Sequence, residues 1–195
     1  PTQNGQWVVA DLFKPYTATS DNPAPLVIII PGFQRSKETL SNIAIELSRR
    51  GIVTISIDPY AQGTSSSSLS KRAATKEGYG MFALVNYVHD TPNLNYVDKS
   101  KIGVTGHSAG GLAAMRGAQY FGEIAIKNKA RSKLHSVFVS GMLRMGFKGK
   151  DLKNIRSNIG VSYAMYDEGA WQNELKHGNM EKAPEILRLI NIQTE

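Results

Sequence analysis

The chain has 195 residues, 41% of them hydrophobic, which is enough to bury one sizeable core and reads as a single domain over residues 1–195. It contains no cysteine, so disulfides, thiolate metal sites and cysteine nucleophiles are excluded, while the cellular compartment stays open. The net charge of +7 is spread along the chain without basic–aromatic interleaving, so it reads as solvated surface and no nucleic-acid partner is expected. Gln6–Phe13 alternates loosely and predicts an edge strand, closed by Lys14-Pro15 and the turn-rich stretch Ser20–Pro25. Leu26–Ile30 is a β-branched block with no polar face, as a central parallel strand covered on both sides requires. This run is also the longest apolar one, far too short to span a bilayer.

Ser36–Arg50 carries helical spacing through Leu40, Ile43, Ala44 and Leu47, with Ser36 as N-cap and Gly51 as stop. Ile52–Ile57 predicts a second buried strand, followed by a loop over Asp58–Ser70 whose four serines at 65–68 read as flexible. A helix over Ala73–His89 and a strand over Lys101–Thr105 come next. A helix then runs from after Ser108 to about Asn128, with strands over His135–Ser140 and Ile159–Tyr166. Ala183–Gln193 has an apolar pattern that fits either helix or strand. This alternation predicts a layered α/β sheet with right-handed crossovers.

Between the Lys101 strand and the following helix lies Gly106-His107-Ser108-Ala109-Gly110, the pattern G-x-S-x-G at a strand-to-helix corner. Small residues there let the chain turn sharply enough to hold Ser108 strained with its hydroxyl exposed, as a nucleophile. The alternative is a corner serine without chemistry. Sites of open parallel sheets form at the carboxyl ends of the strands. Attack on an ester carbonyl needs two N–H donors for the oxyanion. Ala109 is the residue that supplies one, and Phe33, with Gln34 close behind, supplies the other from the loop after Ile30. Asp167, directly after the Tyr166 strand end, is placed to orient a histidine, with Glu168 as the alternative and a surface turn as the bland reading.

The segments "PLVIIIPGFQRSKETLSNIAIELSRRGIVTISID" and "DKSKIGVTGHSAGG" resemble the α/β-hydrolase fold family, in particular its cutinase-like and dienelactone-hydrolase-like members. The resemblance runs nearly end to end. It implies a three-layer α/β-hydrolase fold with a mostly parallel central sheet, minimal and without a large lid. It also implies a serine esterase or lipase-like enzyme that needs no metal or organic cofactor and acts on a small-molecule ester. By the resemblance Ser108 is the nucleophile, Ala109 and Phe33 form the oxyanion hole, and Asp167 is the acid.

The histidine departs from the family's layout, which places a helix and strand between acid and base. His107 adjoins Ser108 within the corner and is expected to turn its side chain away from the hydroxyl. His89 ends a helix before the corner, and His135 begins a strand at the opposite edge. Only His177 follows Asp167. Three expectations stand: the chain lacks its base, which follows Glu195; His177 serves by a short route; or the domain is a non-catalytic binding or interaction module with a degenerate triad. The start at Pro1 likewise suggests truncation, so contact with a membrane through sequence outside this chain stays open, as does the oligomeric state. The basic run Arg144, Lys148, Lys150, Lys153 and Arg156 reads as a solvated helix face, and attraction of acidic substrates or an anionic membrane is the other reading.

Overall fold

A computed structural model describes residues 5–66, 77–142, 149–162 and 164, and among these six strands form one sheet. β1 (Ala10–Phe13) lies at the edge, antiparallel to β3 (Val53–Ile57). β2 (Ala24–Ile30) is central and parallel to both β3 and β4 (Val97–His107). β5 (Ser136–Ser140) and β6 (Asn158–Ser162) continue the parallel run, giving the order β1-β3-β2-β4-β5-β6.

Register sorts the side chains. Ile55, Ile28, Val104, Val137 and Ile159 are paired across five successive strands, so one face presents an unbroken row of β-branched residues. That face carries the core, shared with Met81, Phe82, Val85 and Val88 of α2 (Met81–Asp90) and Leu112, Met115 and Phe121 of α3 (Ala109–Asn128). Phe82 meets Phe121 edge-on and stacks on Tyr120, joining the two helices. α1 (Ser41–Arg49) covers the other face, where the Thr54 hydroxyl donates to Ala44 O and the Ser56 hydroxyl to Lys37 O. The architecture is therefore a mostly parallel sheet between helical layers, without a large lid among the described residues.

Several elements differ from the expectations. The helix expected from Ser36 starts as a 3-10 turn at Lys37–Leu40, and the Ser36 side chain makes no capping bond. The Lys37 N–H instead donates to Asp58 Oδ1 at 2.7 Å, so a buried carboxylate from the end of β3 fills the capping role. α2 begins at Met81 rather than Ala73, because Gly78, Tyr79 and Gly80 have φ of 53°, 55° and 98°, which no α-helix accommodates; residues 73–76 lie outside the described set. β1 starts at Ala10 because Trp7 and Val9 bond a loop instead: their N–H groups donate to the Ser66 and Ser65 hydroxyls. Those two serines are thus structural ties, not a flexible tract. Among the described residues of the basic segment there is a one-turn helix, α4 (Gly149–Leu152), held to α3 by Arg116 and Asp151.

Two substitutions read the faces separately. Ile28→Ala removes a fully buried side chain from the row and should cost about 3–4 kcal/mol in denaturant unfolding. Thr54→Val deletes only the hydroxyl bond to Ala44 and should cost about 1 kcal/mol.

Candidate active site

The corner after β4 is built by contacts that leave no room for side chains. A Cβ on Gly110 would lie 2.2 Å from Ile30 O and 2.5 Å from Pro31 O. A Cβ on Gly106 would lie 2.3 Å from the Gly110 carbonyl. The glycines of the motif therefore let the first turn of α3 sit directly on the ends of β2 and β4. Between them Ser108 takes φ 55° and ψ −119°, a conformation that costs a non-glycine residue on the order of 1–3 kcal/mol. The cost is met by neighbours on both sides. Ser108 N–H donates to Ser140 O at the end of β5 (3.0 Å), and Ser108 O accepts from Leu112 N–H in α3 (3.1 Å).

The same contacts bring the loop after β2 to the serine. A Cβ on Gly32 would lie 3.4 Å from the Ser108 Cβ, so the open side of this glycine faces the serine side chain. Phe33 follows, with its ring exposed. Gln34 has φ 57° and its N–H is already engaged by Gln62 Oε1 (3.1 Å). Of the two expected loop donors, then, Phe33 keeps its N–H without a partner among the described residues, and Gln34 does not. Ala109 is the first residue of α3, where an N–H has no intrahelical acceptor, and the 20-residue helix directs its positive end there.

The histidines separate by edge. His107 is exposed, with Nδ1 3.6 Å from a Cβ placed on Gly32. His89 donates from Nε2 to Lys133 O (3.2 Å), and partial burial pushes its pKa down. His135 N–H donates to Ile102 O at the amino edge of the parallel strands, and its Nδ1 accepts from Arg131. Neither His89 nor His135 lies at the Ser108 edge. Asp167, Glu168 and His177 lie outside the described residues, as do Arg144, Lys148 and Ala183–Gln193. Among the described residues there is no cluster of His, Asp or Glu able to hold a metal ion.

The loop after β3 is the part of the site that sequence reading missed. Asp58 caps Lys37 and accepts from the Thr64 N–H and hydroxyl at 2.9 and 3.1 Å. Gly63, at φ 52°, passes so close that any Cβ would overlap the Asp58 carboxylate. Gln62 reaches across to the loop after β2. The two loops border a cavity of about 390 Å³ lined by Gln34, Arg35, Ser36, Thr39, Ala61 and Gln62. The signal was available in principle: this loop, like the other two, leaves the carboxyl end of a parallel strand.

Solved structures share the fold. Est1E from Butyrivibrio proteoclasticus, solved with ferulic acid bound, is 23% identical with a TM-score of 0.56, over 73% of this chain and 51% of that one. GrgF, an α/β hydrolase from Penicillium sp. sh18, is 21% identical with a TM-score of 0.58, over 73% and 44%. An esterase from Pyrococcus furiosus is 18% identical with a TM-score of 0.56, over 73% and 47%. The chain thus spans about half the length of these structures. No curated protein matches it. The family model described as PETase, PET hydrolase-like, matches residues 7–143, well over half of the chain, and the chain accordingly belongs to that family of α/β hydrolases.

Proposed function

We propose that residues 1–195 form one domain of a serine hydrolase that cleaves carboxylic esters through an acyl-enzyme on Ser108. The observation that carries this reading is the Ser108 backbone at φ 55°, strained, tied on both sides and facing the Gly32 loop at the carboxyl edge of the sheet. Strain of this kind clusters at reacting groups, and here it falls on the serine of the G-x-S-x-G corner. Ser108 Oγ attacks the ester carbonyl carbon while a histidine takes its proton. The carbonyl oxygen becomes an oxyanion received by the N–H groups of Phe33 and Ala109. Collapse breaks the bond to the alcohol oxygen, which takes the proton from the histidine and departs. Water then gives a proton to the same base and attacks the acyl carbon; collapse breaks the bond between that carbon and Ser108 Oγ, which takes the proton back from the histidine as the acid departs. No metal or organic cofactor takes part.

Asp167 orients the histidine through its Nδ1–H, with Glu168 as the alternative. The base is His177, or a histidine of a longer chain that continues past residue 195. The substrate is a small-molecule ester, and a PET ester bond falls in the same chemical class.

A fluorophosphonate probe tests the proposal. Wild type should be labelled at Ser108, and Ser108→Ala should be unlabelled and fall by roughly 10⁴-fold or more in kcat on p-nitrophenyl esters. Intact protein that resists the probe, beside a reactive control hydrolase, would contradict it. Asp167→Asn should lower kcat by about 10⁴-fold with the fold intact, because the wrong imidazole tautomer is favoured. Wild-type activity in that variant moves the role to Glu168. His177→Ala tests the base: loss of labelling assigns it to His177, and retained labelling removes His177 from the role.

A further inference from the structure

Gln62 lies on a different strand's loop from any residue of the catalytic set, yet its amide is wholly committed to the loop that carries Phe33. Oε1 accepts from Gln34 N–H (3.1 Å), while Nε2 donates to Gly32 O (3.0 Å) and Arg35 O (2.5 Å). These partners, one donor and two carbonyls, are satisfied together only by an amide in this orientation. Resting on the serine-hydrolase reading, we propose that Gln62 is the positioning residue that aims the Phe33 N–H at the developing oxyanion.

Gly32 C=O and Phe33 N–H belong to the same planar peptide and point in opposite directions. Holding the carbonyl therefore fixes the direction of the N–H. Gly32 O has one other tie, from Arg35 N–H at 3.2 Å, which closes the tight turn over residues 32–35. That turn is strained, since Gln34 sits at φ 57°, and the bond from Gln34 N–H to Gln62 helps hold it there. Gln62 is itself fixed: its N–H donates to Pro59 O, and its carbonyl accepts from Ser65 N–H. Next to it, Gly63 is pressed on the Asp58 carboxylate that caps Lys37. The loop after β3 is thus a frame, and Gln62 is its arm onto the oxyanion loop. Because Arg35 retains one tie to Gly32 O, loss of Gln62 loosens the donor without removing it. The effect is smaller than deletion of an oxyanion donor, which costs roughly 10²–10³ in kcat.

The test compares Gln62→Ala and Gln62→Glu with wild type, using p-nitrophenyl ester kinetics, fluorophosphonate labelling, thermal melting and affinity for a trifluoromethyl ketone. That ketone adds to the serine and presents a real oxyanion. In Gln62→Ala, kcat should fall roughly 10- to 100-fold with KM within about threefold. Ketone affinity should weaken by the same factor as kcat/KM, and Tm should stay within a few degrees. Gln62→Glu keeps the acceptor for Gln34 N–H but turns a carboxylate on two carbonyls, and should fall at least as far. A purely structural role would lower Tm without this parallel between kcat/KM and ketone affinity, and that result overturns the proposal. Wild-type kcat in either variant overturns it too, while Ser108 labelling keeps the hydrolase reading intact. Wild-type protein without labelling or turnover overturns both. If Gln62→Ala fails to fold, Gln62→Asn, which withdraws the amide by one methylene, serves in its place with the same outcomes.

Discussion

The contact on which the rest depends is the seating of Gly110 against the carbonyls of Ile30 and Pro31. No side chain fits there, so the N-terminus of α3 rests directly on the end of β2, and the turn between β4 and α3 has to be made at one residue, Ser108. That forces Ser108 into its positive-φ conformation and sets Gly32 with its open side toward the serine side chain. A longer or bulkier corner would relax the serine and open a gap to the loop after β2. Packing, backbone strain and the proposed chemistry thus have one source. The strain is offset by the Ser140 and Leu112 backbone bonds and, more broadly, by the largely buried row across the sheet.

A second level of order lies in the loop after β3. Asp58 is almost wholly buried, and its carboxylate caps the turn at Lys37 while gathering Thr64. Gln62, and the ties of Ser65 and Ser66 to the N-terminal segment, join this loop to two other parts of the chain. The exposed Phe33 loop is therefore anchored from beneath, although it has few apolar contacts of its own. Polar bonds to backbone, rather than burial, decide its shape.

What the amino-acid sequence disclosed follows this division. β2, β3, β4 and α3 are legible because their signals are local: β-branched blocks for strands buried on both faces, and small residues around Ser108 for a sharp corner. Strand direction alone placed His135 at the far edge. The misjudged features depend on partners distant in sequence. Ser36 reads as a cap, but Asp58 takes the role from 21 residues away. Ser65 and Ser66 read as a flexible tract, but each meets backbone more than 50 residues distant. The helix expected from Ala73 yields to three consecutive positive-φ residues, a pattern that Gly78-Tyr79-Gly80 announced. Gln62 was invisible for the same reason as Asp58, since an amide near a turn carries no periodic signal.

The central claim is that Ser108, Phe33 and Ala109 act on one reacting centre. The most direct measurement is a crystal structure of the protein after reaction with a fluorophosphonate. The account requires phosphorus bonded to Ser108 Oγ, with the phosphoryl oxygen within about 2.7–3.1 Å of both the Phe33 and Ala109 backbone nitrogens. An adduct on Ser108 whose phosphoryl oxygen points to solvent, or meets other donors, would contradict it.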